Sequence, residues 1–198
     1  MTRQAVFYFD VGSPTSYLAH RALPKVAMET GAQIVWRPVL LGGIFQATGN
    51  KTPMDCPAKA KWMIDDLQRW AHKRNVRFQH NPYFPINTLT LQRGAVAFEG
   101  TDLFDKYVES VFSAMWEFPK NLADPAILEA TLVEAGFDAG HFRERVVSPE
   151  VKVKEKLKRN TTEAIDAGVF GCPTIVVGGT LFFGQDRLDF VSEALRGV

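Results

Sequence analysis

Asp10-Val-Gly-Ser-Pro-Thr-Ser-Tyr-Leu18 is the stretch on which the fold turns, because it joins an apolar run to a helical pattern through a turn ending at Ser13-Pro14. Upstream, Ala5-Val-Phe-Tyr-Phe9 is short, apolar and rich in β-branched and aromatic residues, which marks a buried strand. Downstream, Tyr17-Leu18, Arg21-Ala22 and Lys25-Val26 recur at helical spacing. A strand, a short turn and a helix start leave the first helical N–H groups pointing outward, and such a site favours negative charge. Ser13 has two readings. Serine before proline is an ordinary N-cap, worth about 1 kcal/mol; a hydroxyl at that place can also donate to a ligand.

Working outward, residues 4–40 read as strand, helix and strand. The helix runs from Pro14 to about Thr30, and Gln33-Ile-Val-Trp36 follows Gly31. Residues 168–198 hold Thr174-Ile-Val-Val177, a Gly178-Gly179 turn, Thr180-Leu-Phe-Phe183 and a helix from Asp186 to Leu195. Paired glycines between two β-rich runs are a hairpin signal. A βαβ unit followed by a ββα unit is the thioredoxin-fold order, in which Ser13-Pro14-Thr15-Ser16 occupies the place of Cys-x-x-Cys. Sulfur chemistry suits that place, yet the chain supplies no thiol there, so the thiol is expected to arrive on a ligand.

Residues 45–167 contain almost nothing strand-like. Helix starts are read at Asp55 before Pro57, Thr101-Asp102, Asp124-Pro125, Asp138 and Ser148-Pro149-Glu150, since an N-cap oxygen satisfies orphan amides and proline presets φ. Trp62, Leu67 and Trp70, then Phe112 and Trp116, supply bulky anchors at helical intervals. Lys152-Val-Lys-Glu-Lys-Leu-Lys158 alternates like a strand, but its start signal and length predict a helix with a solvated basic face. The expected architecture is α/β: a thioredoxin-like domain from residues 1–44 and 168–198, interrupted by a helical subdomain at 45–167.

A chain of 198 residues, 46% hydrophobic and 23% charged, suits one soluble globular domain with a full core. Its net charge of +1 argues against a nucleic-acid partner held by a basic face. No apolar run approaches the roughly 20 residues of a membrane span. The first residues reach Asp10 too soon for the apolar core of a secretory signal, so a reducing cytoplasm is expected. Cys56 and Cys172 are far apart and in no metal spacing, and His20, His72, His80 and His141 are scattered, so no metal site is proposed.

Three further segments carry candidate chemistry. In Gly171-Cys172-Pro173-Thr174, the proline is either cis, freeing the backbone of Cys172 for an extended peptide-like ligand, or a plain strand-entry residue. Cys172 reads as a small buried hydrophobe or a reactive thiol. In Phe183-Gly184-Gln185-Asp186-Arg187, Asp186 is a simple N-cap or the partner of an ammonium, beside amides that suit a carboxylate. The polar stretch around Asn50 reads as a loop or as an arm over a ligand, and Lys59 as a solvated lysine or the partner of a carboxylate. Ser16, one turn beyond Ser13, reads as structural.

Taken together and in order, Phe7-Tyr-Phe-Asp-Val-Gly-Ser-Pro-Thr-Ser-Tyr-Leu-Ala19, Arg37-Pro-Val-Leu-Leu-Gly-Gly-Ile-Phe45, Gly49-Asn-Lys51, Phe84-Pro-Ile-Asn-Thr-Leu89, Phe170-Gly-Cys-Pro-Thr174 and Phe183-Gly-Gln-Asp-Arg187 closely resemble the 2-hydroxychromene-2-carboxylate isomerases and the related kappa-class glutathione transferases. The resemblance spans nearly the whole chain. It implies a homodimer that binds glutathione and a small aromatic carboxylate substrate, with Ser13 as the catalytic serine beside the glutathione sulfur. It further implies Asn50 and Lys59 near the tripeptide, Cys172-Pro173 pairing with its cysteine, Gln185-Asp186 holding its γ-glutamyl end, and Asn87 in the second-substrate pocket. Gly12 and Gln185 depart from the family pattern. The activity implied is glutathione-dependent isomerisation; the alternatives are a kappa-type transferase or peroxidase and a redox-inactive binding module. Ser13 and Ser16 cannot form a disulfide, which disfavours an oxidoreductase.

Overall fold

The computed structural model describes residues 3–147 and 152–197. β1 (Gln4–Phe9) leads through the turn at Asp10 into α1 (Pro14–Thr30), and β2 (Gln33–Pro38) follows. Ser13 caps α1 in extended geometry, its Oγ accepting the Ser16 N–H at 3.1 Å. Pro14 stands at the first helical position, where no amide is needed. Then come α2 (Leu41–Thr48), a 3-10 turn (Pro53–Asp55), α3 (Pro57–Lys73), α4 (Leu89–Phe98), α5 (Phe104–Trp116), α6 (Pro125–Glu134), α7 (Ala139–Val147) and α8 (Val153–Asp166). β3 (Thr174–Val177), β4 (Thr180–Phe183), a second 3-10 turn (Gln185–Arg187) and α9 (Leu188–Arg196) complete the described chain.

The sheet order is β2-β1-β3-β4. β1 pairs parallel with β2, Phe7 opposite Trp36, and antiparallel with β3, Phe7 opposite Ile175. β3 and β4 form the expected hairpin around Gly178-Gly179. This is a thioredoxin-like α/β fold with helices between β2 and β3. Period-two alternation sends Ala5, Phe7, Phe9 and Ile175 to one face, where they join the large core that also takes Leu18 of α1 and Val191 of α9. Tyr8 and Leu181 face the other way, onto a smaller cluster of Val39, Ile44, Ala164 and Val169 under α2 and α8. The large core also takes in Leu91, Phe112, Trp116 and Leu157, so sheet and helices share one interior.

Some helix starts fall where the sequence puts them and some do not. Asp124 caps α6 by accepting from Ala126 and Ile127, and Asp138 accepts the His141 N–H in α7. Asp55 does not cap α3: it closes the 3-10 turn, whose cap is Thr52, and Cys56 is the residue before Pro57. Thr101-Asp102 stands short of α5, whose cap position is Leu103. Ser148-Pro149-Glu150 lies outside the described residues. The basic segment from Lys152 is helical, burying Val153, Leu157, Thr161 and Ala164 on one stripe. Among the described residues no helix is long and apolar enough to cross a membrane.

Candidate active site

Where β1 and β2 end, their backbone groups leave the ladder inside an apolar core and must find other partners. Gln92 of α4 supplies them: its Nε2 donates to the Phe9 and Val39 carbonyls at 2.9 and 2.7 Å, and its Oε1 accepts the Val11 N–H at 3.3 Å. Trp116 Nε1 donates to the Val11 carbonyl at 2.8 Å. Asp10 is buried, and its carboxylate accepts the Gly12 and Leu41 amides at 2.9 and 3.0 Å and the Thr88 hydroxyl at 3.1 Å. Burial raises the Asp10 pKa against those three hydrogen bonds. Gly12 fits beneath this clamp because it has no side chain: a Cβ there would sit 2.8 Å from Thr88 Cγ2. The turn carrying Ser13 is therefore held from α4, α5 and the start of α2.

Ser13 is buried, and its hydroxyl lies 2.9 Å from both the Cys172 carbonyl and the Thr15 hydroxyl. Thr15 Oγ1 donates to the same carbonyl at 3.3 Å. The Cys172-Pro173 peptide is cis, as is Phe84-Pro85. Pro173 accepts the Gly184 N–H at 3.0 Å, tying the entry of β3 to the loop after β4. Burial, reinforced by Asp10, pushes the Cys172 thiol well above its ordinary range, so it stays a neutral hydrophobe. Both cysteines are free.

The loop after β4 is fixed from α3. Arg74 donates to the Leu18 carbonyl at 3.1 Å and to the Gln185 carbonyl at 2.6 Å, with its guanidinium 4.9 Å from the Trp70 ring centroid. Burial lowers its pKa, while Asp186 and Asp189 oppose the shift. Gln185 is buried, and its Oε1 has no hydrogen-bond partner among the described residues. Asp186 is exposed and accepts from Arg187 at 2.6 Å. Opposite, Asn50 follows the last turn of α2 and donates to the Phe170 carbonyl at 2.8 Å, bridging the two loops over Gly171. Gly171 has to be small: a Cβ would stand 2.8 Å from the Phe183 ring, which packs 4.6 Å from that of Phe170.

Ser13, Asn50, Cys172, Gln185 and Asp186 all line one cleft of about 320 Å³; Pro173 follows Cys172 in the chain but is not part of the lining. Phe45, Met54, Trp62, Met63, Phe84 and Trp116 form its apolar side. Trp62 is 61% exposed, a wall of this cleft rather than a core anchor. Lys59, on the exposed first turn of α3, is not part of the lining, whereas Lys51 is. Asn87 is not part of it either: its Oδ1 accepts the Leu89 N–H at 3.0 Å, and it opens on a separate cavity with Asp10, Gly42, Gly43 and Thr88. Of the scattered histidines, His80 joins the lining beside Phe84 and Trp116, and burial lowers its pKa, keeping it neutral. Arg74 and His80 carry no spacing signal that would have singled them out, whereas Thr15 stands inside the Ser13-Pro14-Thr15-Ser16 segment.

The fold and the serine-capped helix mouth place this chain in a class. It belongs to the DSBA-like thioredoxin family, whose model matches residues 4–196. Within it, the chain groups with the 2-hydroxychromene-2-carboxylate isomerases. That of Sphingobium xenophagum is 34% identical over 98% of this chain and 99% of its own length. That of Pseudomonas sp. strain C18 is 32% identical over 97% of this chain and 90% of its own. Glutathione S-transferase kappa 1 of Homo sapiens is 28% identical over 98% of this chain and 92% of its own. A solved 2-hydroxychromene-2-carboxylate isomerase superposes with a TM-score of 0.86 at 27% identity, covering 97% of this chain and 94% of that one.

Proposed function

We propose that this protein is a glutathione-dependent isomerase of 2-hydroxychromene-2-carboxylate or a related intermediate of aromatic catabolism. The observation that carries the reading is a single cleft, lined by Ser13, that holds both a polar group set and a run of large apolar side chains. A polar arc of Ser13, Cys172, Gln185 and Asp186 suits an extended tripeptide, and the apolar side of Trp62, Phe84 and Trp116 suits an aromatic substrate. Glutathione fits the polar arc on its chemistry. The unpartnered Gln185 Oε1 calls for a donor such as a ligand N–H, Asp186 complements the γ-glutamyl ammonium, and Lys51 stands on the lining for a carboxylate.

When bound, glutathione supplies a sulfur nucleophile whose reversible addition to the conjugated alkene allows rotation about the former double bond. The chain's own residues make that sulfur available as an anion. Ser13 keeps its proton and donates it as a hydrogen bond, while the first amides of α1 add the positive end of the helix dipole. Together they lower a free thiol's pKa of about 8.5 by roughly two units, about 2.7 kcal/mol. The apolar side excludes water from the aromatic ring and strengthens these interactions. Asn50 and Arg74 hold the two loops that border the arc.

The 28% identity to the kappa-class transferase supports a second reading, glutathione conjugation or peroxide reduction with the same sulfur. With the family reading also go Asn50 as a ligand-side residue, a thioredoxin-like domain of 1–44 and 168–198 around an insertion of 45–167, a homodimer and a cytoplasmic location. The deciding experiment follows conversion of 2-hydroxychromene-2-carboxylate at trace and at stoichiometric glutathione. An isomerase sustains many turnovers per glutathione and returns it unchanged. Consumption of one glutathione per product refutes isomerisation in favour of transfer, and no conversion under either condition refutes this substrate class.

A further inference from the structure

Ser13 has one proton and, in this structure, more than one claim on it. One of its lone pairs takes the Ser16 N–H at 3.1 Å; the proton's nearest acceptors are the Cys172 carbonyl and Thr15 Oγ1, each at 2.9 Å. Cys172 lines the cleft, and its carbonyl has these two hydroxyls as its hydrogen-bond donors among the described residues. If Ser13 turned its proton to a ligand with nothing in its place, one lone pair of this carbonyl would lose its donor even with a glutathione N–H on the other, and the loss would offset part of what the new bond gains. Thr15 removes that conflict, because its own hydroxyl already reaches the same oxygen at 3.3 Å.

We propose that Thr15 is a positioning residue that keeps the Cys172 carbonyl paired while Ser13 turns its single proton to a bound sulfur. The inference rests on the glutathione reading above and adds a residue to it. Each hydroxyl keeps one proton throughout; only acceptors change, and the thiol proton leaves to solvent. Thr15 sits at the second position of α1, where a β-branched side chain has few rotamers, so its hydroxyl is held toward the carbonyl. Thr15→Val keeps that shape and stiffness and deletes the donor, leaving Ser13 committed to Cys172.

The test is the ultraviolet titration of the thiolate in the binary complex with glutathione, for the parent, Thr15→Val and Thr15→Ser. The expected result is a bound-thiol pKa about one unit higher in Thr15→Val, roughly tenfold less thiolate at a fixed pH below it, with Thr15→Ser restored to the parent. Glutathione affinity measured below the thiol pKa, where every variant binds the protonated form, is expected to change by less than about twofold. If Thr15→Val does not fold, Thr15→Ala gives the same comparison. Parent-like titration of the valine variant, or a serine variant as impaired as the valine one, overturns the proposal. A parent that binds glutathione without lowering its thiol pKa, or does not bind it, sinks the glutathione reading itself and this inference with it.

Discussion

Replacing Ser13 with alanine separates the two roles that one oxygen combines. As a cap, Oγ accepts the Ser16 N–H at 3.1 Å, and its loss is expected to destabilise the fold by about 1 kcal/mol, read from urea unfolding. As a donor, Ser13 is a buried hydroxyl at the mouth of α1, and a hydrogen bond to a charged sulfur there contributes about 1.5–2 kcal/mol. Divided by 1.36 kcal/mol per unit, that raises the bound-thiol pKa by about 1–1.5 units. At a pH below both pKa values, turnover of Ser13→Ala therefore falls roughly 10–30-fold, with little change in glutathione affinity. The sign also sets the profile. As pH rises past the parent's thiol pKa the parent levels off, and the variant keeps gaining until the curves converge. Parallel profiles that never converge, or equal activity at every pH, would refute a serine that acts on the ionisation of the sulfur.

Asp186→Ala is expected to raise the glutathione dissociation constant about tenfold, measured by calorimetry, with kcat at saturating glutathione nearly unchanged; an unaltered constant removes the γ-glutamyl assignment. Gly171→Ala puts a methyl 2.8 Å from the Phe183 ring, which is 42% exposed and can swing outward. The expected result is about 1 kcal/mol of lost stability and a weakened KM for the aromatic substrate, and wild-type values for both would show that this ring shapes nothing. Glu109 is held at a pKa of about 2 by its hydrogen bond to His20 and by Arg21, below the ordinary 4.5. A depressed carboxylate stabilises the fold above the unfolded pKa and loses that contribution as pH falls through the folded one. Its side chain is 47% exposed, so solvent screening leaves about 1 kcal/mol. Glu109→Gln should be less stable than the parent by that amount at pH 7, with the gap closing between pH 4.5 and 2 in acid-unfolding curves.

Much of the architecture is legible because its signals are local. α1 ends at Thr30 and β3 and β4 occupy 174–177 and 180–183, as periodicity and the turn glycines indicate, and the basic segment is a helix despite its strand-like alternation. The errors at Asp55 and Thr101 are a few residues long and have a local cause, since short turns precede α3 and α5 and absorb the polar residues that look like caps. Lys59 and Asn87 show the limit at the site. Each lies a few residues from a segment that borders the cleft, yet a helix start turns one outward and a side-chain bond to Leu89 directs the other to a separate cavity.

The residues that shape Ser13's surroundings act across the chain instead. Gln92 reaches Phe9 and Val39, Arg74 reaches Leu18 and Gln185, Asn50 reaches Phe170, and Thr15 reaches Cys172. Sequence by itself determined the order of strands and helices, a serine-proline helix mouth in place of paired cysteines, and the motifs shared with the 2-hydroxychromene-2-carboxylate isomerases. Only the tertiary structure decided which polar groups meet at that mouth. Hydrophobic period and capping chemistry are written within a few residues, whereas a buried carbonyl takes whatever donor the fold brings within hydrogen-bond reach, at no fixed separation along the chain.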